Sequence, residues 1–174
     1  IVTTPDVNVS ICILDTGVTH GHSLLSPILT ANDCQTADVS WGTHDHDGHG
    51  TMMAGITAYG NLEDCLASTG NIALQHQLES VKILPPVGQN HPRLWGYMTS
   101  QGINLAEIQA PERKRITCMA ITSSDTRDRG RPSSWSATID SITSGAKDDI
   151  KKLMILSAGN AEDFNNPANY PDIL

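Results

Sequence analysis

The chain has 174 residues, of which 39% are hydrophobic and 17% are charged, a composition typical of one globular domain over 1–174. The net charge of −8 argues against a nucleic-acid partner, because phosphates favour clustered Lys and Arg. No apolar run is long enough to cross a bilayer, so no membrane partner is expected.

The first predicted strand runs over residues 7–14 and ends at an acidic residue. Its odd positions are apolar, and its last residues are apolar at even positions too. A strand buried on both faces is typical of a parallel sheet. Asp-Thr-Gly at 15–17 follows, at the strand end where open α/β sheets place their chemistry. Alone, this tripeptide also fits a simple turn.

Residues 19–46 are rich in His, Pro, Asn and Asp and are predicted to be mainly loop, with one short strand around 39–41. A metal-dependent hydrolase built on His44, His46 and His49 is an open alternative, which predicts bound metal and inhibition by chelators. These histidines lack the i, i+4 spacing of a helical zinc site, so we expect a polar loop and no metal.

His49 stands between two glycines. Glycines allow a sharp backbone turn and leave the imidazole open to a substrate, as a catalytic base requires. The small and apolar residues after Thr51 predict a helix that ends near Gly60. The N-terminal dipole of that helix would disfavour the imidazolium, and a nearby Asp15 would offset this effect. Alone, a histidine in such a turn is more often a solvated loop residue.

The rest of the chain alternates between predicted strands and helices, which indicates an α/β fold. The predicted strands are at 79–84, 115–122 and 153–156, and the predicted helices are at 64–67, at 100–110 with a cap at Thr99 or Ser100, and after Ser133 or Ser134. The last helix has four apolar residues on one face, which are predicted to be core: Trp135, Ile139, Ile142 and Ala146.

The cysteines do not have the paired short spacing of a zinc site. Cys12 and Cys118 lie in predicted strands and are expected to be small core residues. A disulfide between Cys34 and Cys65 stays open for a secreted protein. We expect free thiols, and therefore favour a cytoplasmic location over secretion.

Three blocks in chain order resemble those of the subtilisin-like serine peptidases: Asp-Thr-Gly at 15–17, His-Gly-Thr at 49–51, and Ser-Ala-Gly-Asn at 157–160. The resemblance implies a three-layer subtilisin-like α/β fold, with a mainly parallel sheet and helices on both faces. It also implies a serine endopeptidase that acts through an acyl-enzyme, without a cofactor, on a polypeptide substrate.

Position by position, the resemblance assigns Asp15 as the carboxylate that orients the imidazole, His49 as the general base, and Asn160 as the side-chain donor to the oxyanion. The block that carries the family's nucleophile, Gly-Thr-Ser followed by a small residue, Ala and Pro, is absent from the 174 residues. We therefore expect the N-terminal part of a larger domain, which lacks the C-terminal part of that domain and is inactive alone.

The end of the predicted strand at 115–122 resembles the segment that pairs with the substrate backbone in this family. Where the family usually has Ser-Leu-Gly, this chain has Ala120, Ile121 and Thr122, which are the expected substrate-binding residues. A non-catalytic peptide-binding or regulatory domain on the same scaffold is the alternative. The residue at the nucleophile's position in the parent protein would distinguish the two.

Overall fold

The structure is a computed structural model that describes residues 2–3, 8–67, 69–123 and 131–159. The strands in these ranges are β1 (Val2–Thr3), β2 (Val9–Asp15), β3 (Cys34–Thr36), β4 (Ile72–Ala73), β5 (Gln77–Lys82), β6 (Lys114–Met119) and β7 (Leu153–Leu156). The α-helices are α1 (His49–Tyr59), α2 (Leu62–Ala67), α3 (Trp95–Gln109) and α4 (Ser134–Thr143). Across the same ranges, no helix has the length and apolar character to cross a bilayer.

The main sheet has the order β3-β5-β2-β6-β7, and each neighbouring pair is parallel. β2 lies at its centre, where Asp15 is in register with Lys82 of β5, and Ile13 with Cys118 of β6. β1 and β4 form a separate parallel pair. In a parallel sheet the carboxyl ends of all strands lie at one edge, so the residues that follow them come together.

Two hydrophobic clusters cover the two faces of this sheet. Ile13 belongs to the cluster to which α1 contributes Ala54, whereas Cys12 and Leu14 belong to the cluster to which α3 contributes Ile103. Each buried Leu or Ile contributes about 1.5–3 kcal/mol to stability. Helices therefore pack on both faces, and the prediction of a three-layer α/β fold with a mainly parallel sheet is confirmed.

The prediction of a strand around 39–41 is wrong. Val39–Trp41 is a short 3₁₀ helix, and the side chain of Asp38 accepts a hydrogen bond from the backbone N–H of Ser40 at its start. Such a local bond competes with strand pairing. The strand of this region is β3, a few residues earlier, and it pairs with β5.

The predicted start of α3 is also wrong. The helix begins at Trp95, and the Thr99 hydroxyl donates to the carbonyl oxygen of Trp95 inside it, so neither Thr99 nor Ser100 is its cap. β6 ends at Met119, before the three residues that were predicted to bind substrate. Hydrophobic pattern detected both elements, but their bounds depend on tertiary pairing.

The cap predicted for α4 is confirmed, because Ser133 and Ser136 form a capping box. Of its predicted core face, Ile142 is buried, while Trp135 and Ile139 are half-buried and pack against the cluster around Leu14. Ala146 is exposed, which corrects its assignment to the core: the helix ends at Thr143, before it.

Candidate active site

Asp15 and His49, the last residue of β2 and the first of α1, form a hydrogen-bonded pair. His49 Nδ1 lies 2.8 Å from Asp15 Oδ1 and 3.0 Å from Oδ2. Because a carboxylate only accepts, Nδ1 carries the proton, and Nε2 is the acceptor of the neutral imidazole. The Asp15 side chain is 1% exposed and the His49 side chain 41%, so the carboxylate is enclosed while the imidazole remains accessible.

The hydrogen bond with Asp15 raises the pKa of His49 above its ordinary value. Partial burial acts in the opposite direction, and the negative charges of Asp15, Asp47 and Asp45 favour the imidazolium further. α1 begins at His49 itself, three residues before its predicted start at Met52, so the imidazole lies in the first turn. The expected opposition between helix dipole and carboxylate therefore acts directly on His49.

Two glycines allow the segments that carry this pair to approach closely. A Cβ at Gly50 would lie 2.1 Å from the carbonyl oxygen of Gly17, and a Cβ at Gly17, where φ is +101°, would lie 2.6 Å from the carbonyl oxygen of Thr43. No side chain fits at either contact. Gly48, with φ of +94°, makes the predicted sharp turn before the helix. Gly50 instead serves close backbone packing, a role that sequence did not reveal.

Asp45 is a buried carboxylate between the same two segments. It is 5% exposed, and its Oδ1 accepts from the Thr16 hydroxyl at 2.8 Å and from Gly48 N at 2.9 Å, while its Oδ2 accepts from Thr51 N at 2.8 Å. Burial opposes its ionisation, but the hydrogen bonds from Thr51, Gly48 and Thr16 lower the pKa of Asp45 to about 2. In sequence it was one polar residue of a loop; an acidic residue just before a helix is the signal that could have found it.

Lys82 is a second buried charge beside the pair. It is 1% exposed, and its Nζ donates to the carbonyl oxygens of His44 at 2.8 Å and Trp41 at 3.3 Å. Burial lowers the pKa of Lys82, while the charges of Asp45 and Asp47 act in the opposite direction. Its bonds anchor the loop that leads to His49. The sequence analysis correctly predicted that Lys82 lies in a strand, but it did not indicate that Lys82 anchors this loop.

A cavity of about 740 Å³ lies next to the pair and is bordered on that side by Thr16, His46 and Asp47. Trp95 and Trp135 line another part of it, with ring centroids 5.2 Å apart. The indole N–H of Trp135 donates to the Thr99 hydroxyl at 2.9 Å, which holds that ring in place. A concave space with aromatic walls and a few polar groups can accept side chains of an extended ligand.

The structure places two of the three predicted substrate-binding residues, Ile121 and Thr122, in the lining of this cavity. Ala120 is half-buried and is not part of the lining. Ser157 N donates to Met119 O at 3.3 Å, and the Ser157 hydroxyl donates to Ile121 O at 3.2 Å. The chain that leaves β7 thus runs beside the chain that leaves β6, and Gly159 also lines the cavity. Asn160 lies outside the described residues.

Two of the three histidines proposed as metal ligands, His46 and His49, have other contacts. His46 Nδ1 lies 3.2 Å from the carbonyl oxygen of Thr16, and His49 Nδ1 lies against Asp15. Within the ranges that the structure describes, no three or more His, Cys, Asp or Glu residues come together as a possible metal site. All four cysteines are free thiols in the structure.

Comparison with known proteins gives one family. The model of the subtilase family matches residues 6–174. The matched region includes every residue of the candidate site, from Asp15 to Asn160. No curated protein matches the chain significantly.

Proposed function

The chain belongs to the subtilase family, whose members are serine peptidases, and on this basis we propose that it supplies the acid–base part of a serine endopeptidase site. The observation that carries the proposal is the 2.8 Å hydrogen bond between buried Asp15 and accessible His49. In the proposed mechanism, His49 Nε2 takes the proton of the serine hydroxyl as that oxygen attacks the peptide carbonyl. His49 then gives the proton to the leaving amine as the peptide C–N bond breaks.

Asp15 has two tasks in this mechanism. Its carboxylate keeps the proton of the neutral imidazole on Nδ1, so that Nε2 is free to accept, and it stabilises the imidazolium that forms. The raised pKa of His49, caused first by the hydrogen bond with Asp15, supports the second task. Water would complete the cycle by hydrolysing the acyl-enzyme, with His49 again as the base.

We propose that the substrate is an extended polypeptide that lies along Ala120, Ile121 and Thr122. Main-chain groups beyond the end of β6 would pair with the peptide backbone, and the cavity beside them would take its side chains. The position of Ile121 and Thr122 in the cavity lining supports this proposal. Asn160 is the proposed side-chain donor to the oxyanion, with the backbone N–H of the serine as the second donor.

The serine itself is proposed to come from a C-terminal part of the same domain, because its block is absent from these 174 residues. Large apolar side chains exposed on β7 and α1 support a further packing partner: Leu153 at 59%, Ile155 at 55%, Met52 at 62% and Ile56 at 59%. Alone, the 174 residues would lack acyl-transfer activity, because His49 would have no hydroxyl to deprotonate.

Labelling with a fluorophosphonate, which reacts with activated serines, tests the proposal. We expect the parent protein to be labelled and the 174-residue chain to stay unlabelled. His49→Ala in the parent should abolish labelling, whereas His20→Ala, which changes an exposed histidine, should not. Labelling of the 174-residue chain, or equal labelling of the parent and its His49→Ala variant, would contradict the proposal.

A non-catalytic peptide-binding domain is the second candidate, and the cavity lined by Trp95 and Trp135 favours it, because such a space can take peptide side chains without a serine. It predicts a folded parent protein that binds extended peptides at the cavity and is never labelled. Peptide binding measured by fluorescence of Trp95 and Trp135 would then persist in the His49→Ala variant.

A further inference from the structure

Asp45 joins the two segments that carry the candidate acid–base pair. On the strand side, its Oδ1 accepts from the Thr16 hydroxyl, which follows Asp15 directly. On the helix side, it accepts from Gly48 N and from both the N–H and the hydroxyl of Thr51. The hydroxyl oxygen of Thr16 also accepts from Gly50 N at 3.1 Å, so Thr16 is hydrogen-bonded both to Asp45 and to the first turn of α1.

We propose that Asp45 is a positioning residue, which acts through Thr16 and Thr51 to hold the first turn of α1 against the end of β2. The inference rests on the proposed function, because such positioning matters only if Asp15 and His49 work as a pair. Nothing in its role requires contact with substrate.

The start of α1 explains why a carboxylate is needed here. The first N–H groups of a helix have no partners within the helix, and the residue at the cap is Gly48, which has no side chain to accept from them. Asp45 replaces the missing cap, since its two oxygens accept from Gly48 and Thr51 and still receive the Thr16 hydroxyl. An asparagine has one acceptor oxygen and would leave part of this set unpaired.

Charge adds to geometry at this position. An anion beside the N-terminus of a helix is favoured by the macrodipole and offsets the effect of that dipole on a neighbouring imidazolium. The charged or titratable groups around Asp45 include Lys82, whose ammonium holds the adjacent loop, the sequence neighbours His44, His46 and Asp47, and the pair of Asp15 and His49. Removal of the Asp45 charge alone could therefore change the titration of His49 without moving it, so the test must separate the two effects.

The chain offers a matched control for charge. Asp47 lies in the same loop, carries the same charge and also favours the imidazolium, but it is exposed, and its carboxylate accepts from His49 N at 2.9 Å rather than from Thr16 or Thr51. Thr16 offers a test without a charge change. Thr16→Val removes the hydroxyl that links Asp45 to Gly50, and Thr16→Ser retains it.

The experiment is a pH titration of His49 by NMR in the 174-residue chain, with the Nδ1–H resonance and the amide spectrum recorded in each variant. We expect Asp45→Asn to lower the His49 pKa and to weaken the Nδ1–H resonance more than Asp47→Asn does. Thr16→Val should act in the same direction, and Thr16→Ser should restore both signals. If the Asp45→Asn variant does not fold, the comparison of Thr16→Val with Thr16→Ser tests the proposal.

Two failures are distinguishable. If the His49 pKa is the same in Asp15→Asn as in the unmodified chain, the pair itself is absent and the proposed function fails. If His49 responds to Asp15→Asn, while Asp45→Asn matches Asp47→Asn and Thr16→Val matches Thr16→Ser, the positioning role is overturned and Asp45 is a helix cap only.

Discussion

The buried Nζ of Lys82 lies 2.8 Å from the carbonyl oxygen of His44, to which it donates a hydrogen bond. Lys82 is in register with Asp15 on the neighbouring strand, so this bond connects the sheet edge at Asp15 to the loop that ends at His49. A lysine that is 1% exposed is stable only if its ammonium has partners, and here these partners are main-chain oxygens.

Lys82→Met is expected to destabilise the chain by about 1–3 kcal/mol, because it leaves the buried carbonyl oxygens of His44 and Trp41 without this donor. Lys114→Met, at an exposed position of β6, is the control and should change stability by less than about 0.5 kcal/mol. The free energy of unfolding in urea measures both. Equal effects of the two substitutions would contradict the anchoring role.

Gly50 and Gly55 lie in the same helix but in different surroundings. A Cβ at Gly50 would lie 2.1 Å from Gly17 O, whereas a Cβ at Gly55 meets no atom within 4 Å. Gly50→Ala should therefore cost about 1–3 kcal/mol or more and separate His49 from Asp15. Gly55→Ala should stabilise the helix by up to about 1 kcal/mol. Thermal unfolding of the two variants gives the comparison, and opposite signs are the expected result.

The stability of the chain should depend on pH through His49. Its folded pKa is raised by the bond with Asp15, so the stabilising contribution is fully present below the unfolded value of about 6.5 and is lost as pH rises through the folded pKa. Unfolding at about pH 5.5 and about pH 9 should show a larger loss in the unmodified chain than in His49→Ala. The His20→Ala variant should lose as much stability between these pH values as the unmodified chain does. If the unmodified chain lost no more stability than His49→Ala, the result would argue against the Asp15–His49 pair.

Glu79 is the centre of a buried ion-pair network at the opposite end of the strands. It is 2% exposed and accepts from the guanidinium groups of Arg113, at 3.0 Å, and of Arg115. Glu79→Gln should destabilise the chain by about 3–5 kcal/mol, because the buried guanidinium of Arg115 loses its carboxylate partner, while Arg113 retains its ion pair with Asp33 at 2.6 Å. Glu112→Gln, at an exposed position, should be nearly neutral. Urea unfolding of both variants is the measurement.

Asn160→Ala tests the proposed oxyanion donor in the parent protein. Loss of one such donor lowers turnover about 100- to 1000-fold in subtilisin itself, and we expect a similar loss here with little change in KM. The neighbouring asparagine Asn165 gives a matched substitution, Asn165→Ala, that should not affect turnover. Peptide hydrolysis by the two variants compares them, and an unaffected Asn160→Ala would remove Asn160 from the proposed site.

The elements of this fold could be predicted where a local pattern is strong. The run at 7–14 is apolar on both faces, and it forms the central strand because only burial on both sides satisfies such a pattern. The prediction failed at Val39–Trp41, where a hydrogen bond to the side chain of Asp38 favours a 3₁₀ helix over a strand. It also failed at Trp95, because α3 begins there, inside a segment that was predicted to be loop. The predicted ends of the strands were inaccurate because a strand stops where its pairing partner stops, and that partner lies far away in sequence.

By itself, the sequence determined a parallel α/β architecture, the family, and Asp15 and His49 as candidates, because these follow from hydrophobic periodicity and short motifs. Only the tertiary structure decided that these two residues, 34 positions apart, lie 2.8 Å from one another. It also decided that Asp45 and Lys82 are buried beside them. The physical reason is that burial and hydrogen bonding arise when distant segments pack, and no local pattern records which polar residue will be enclosed.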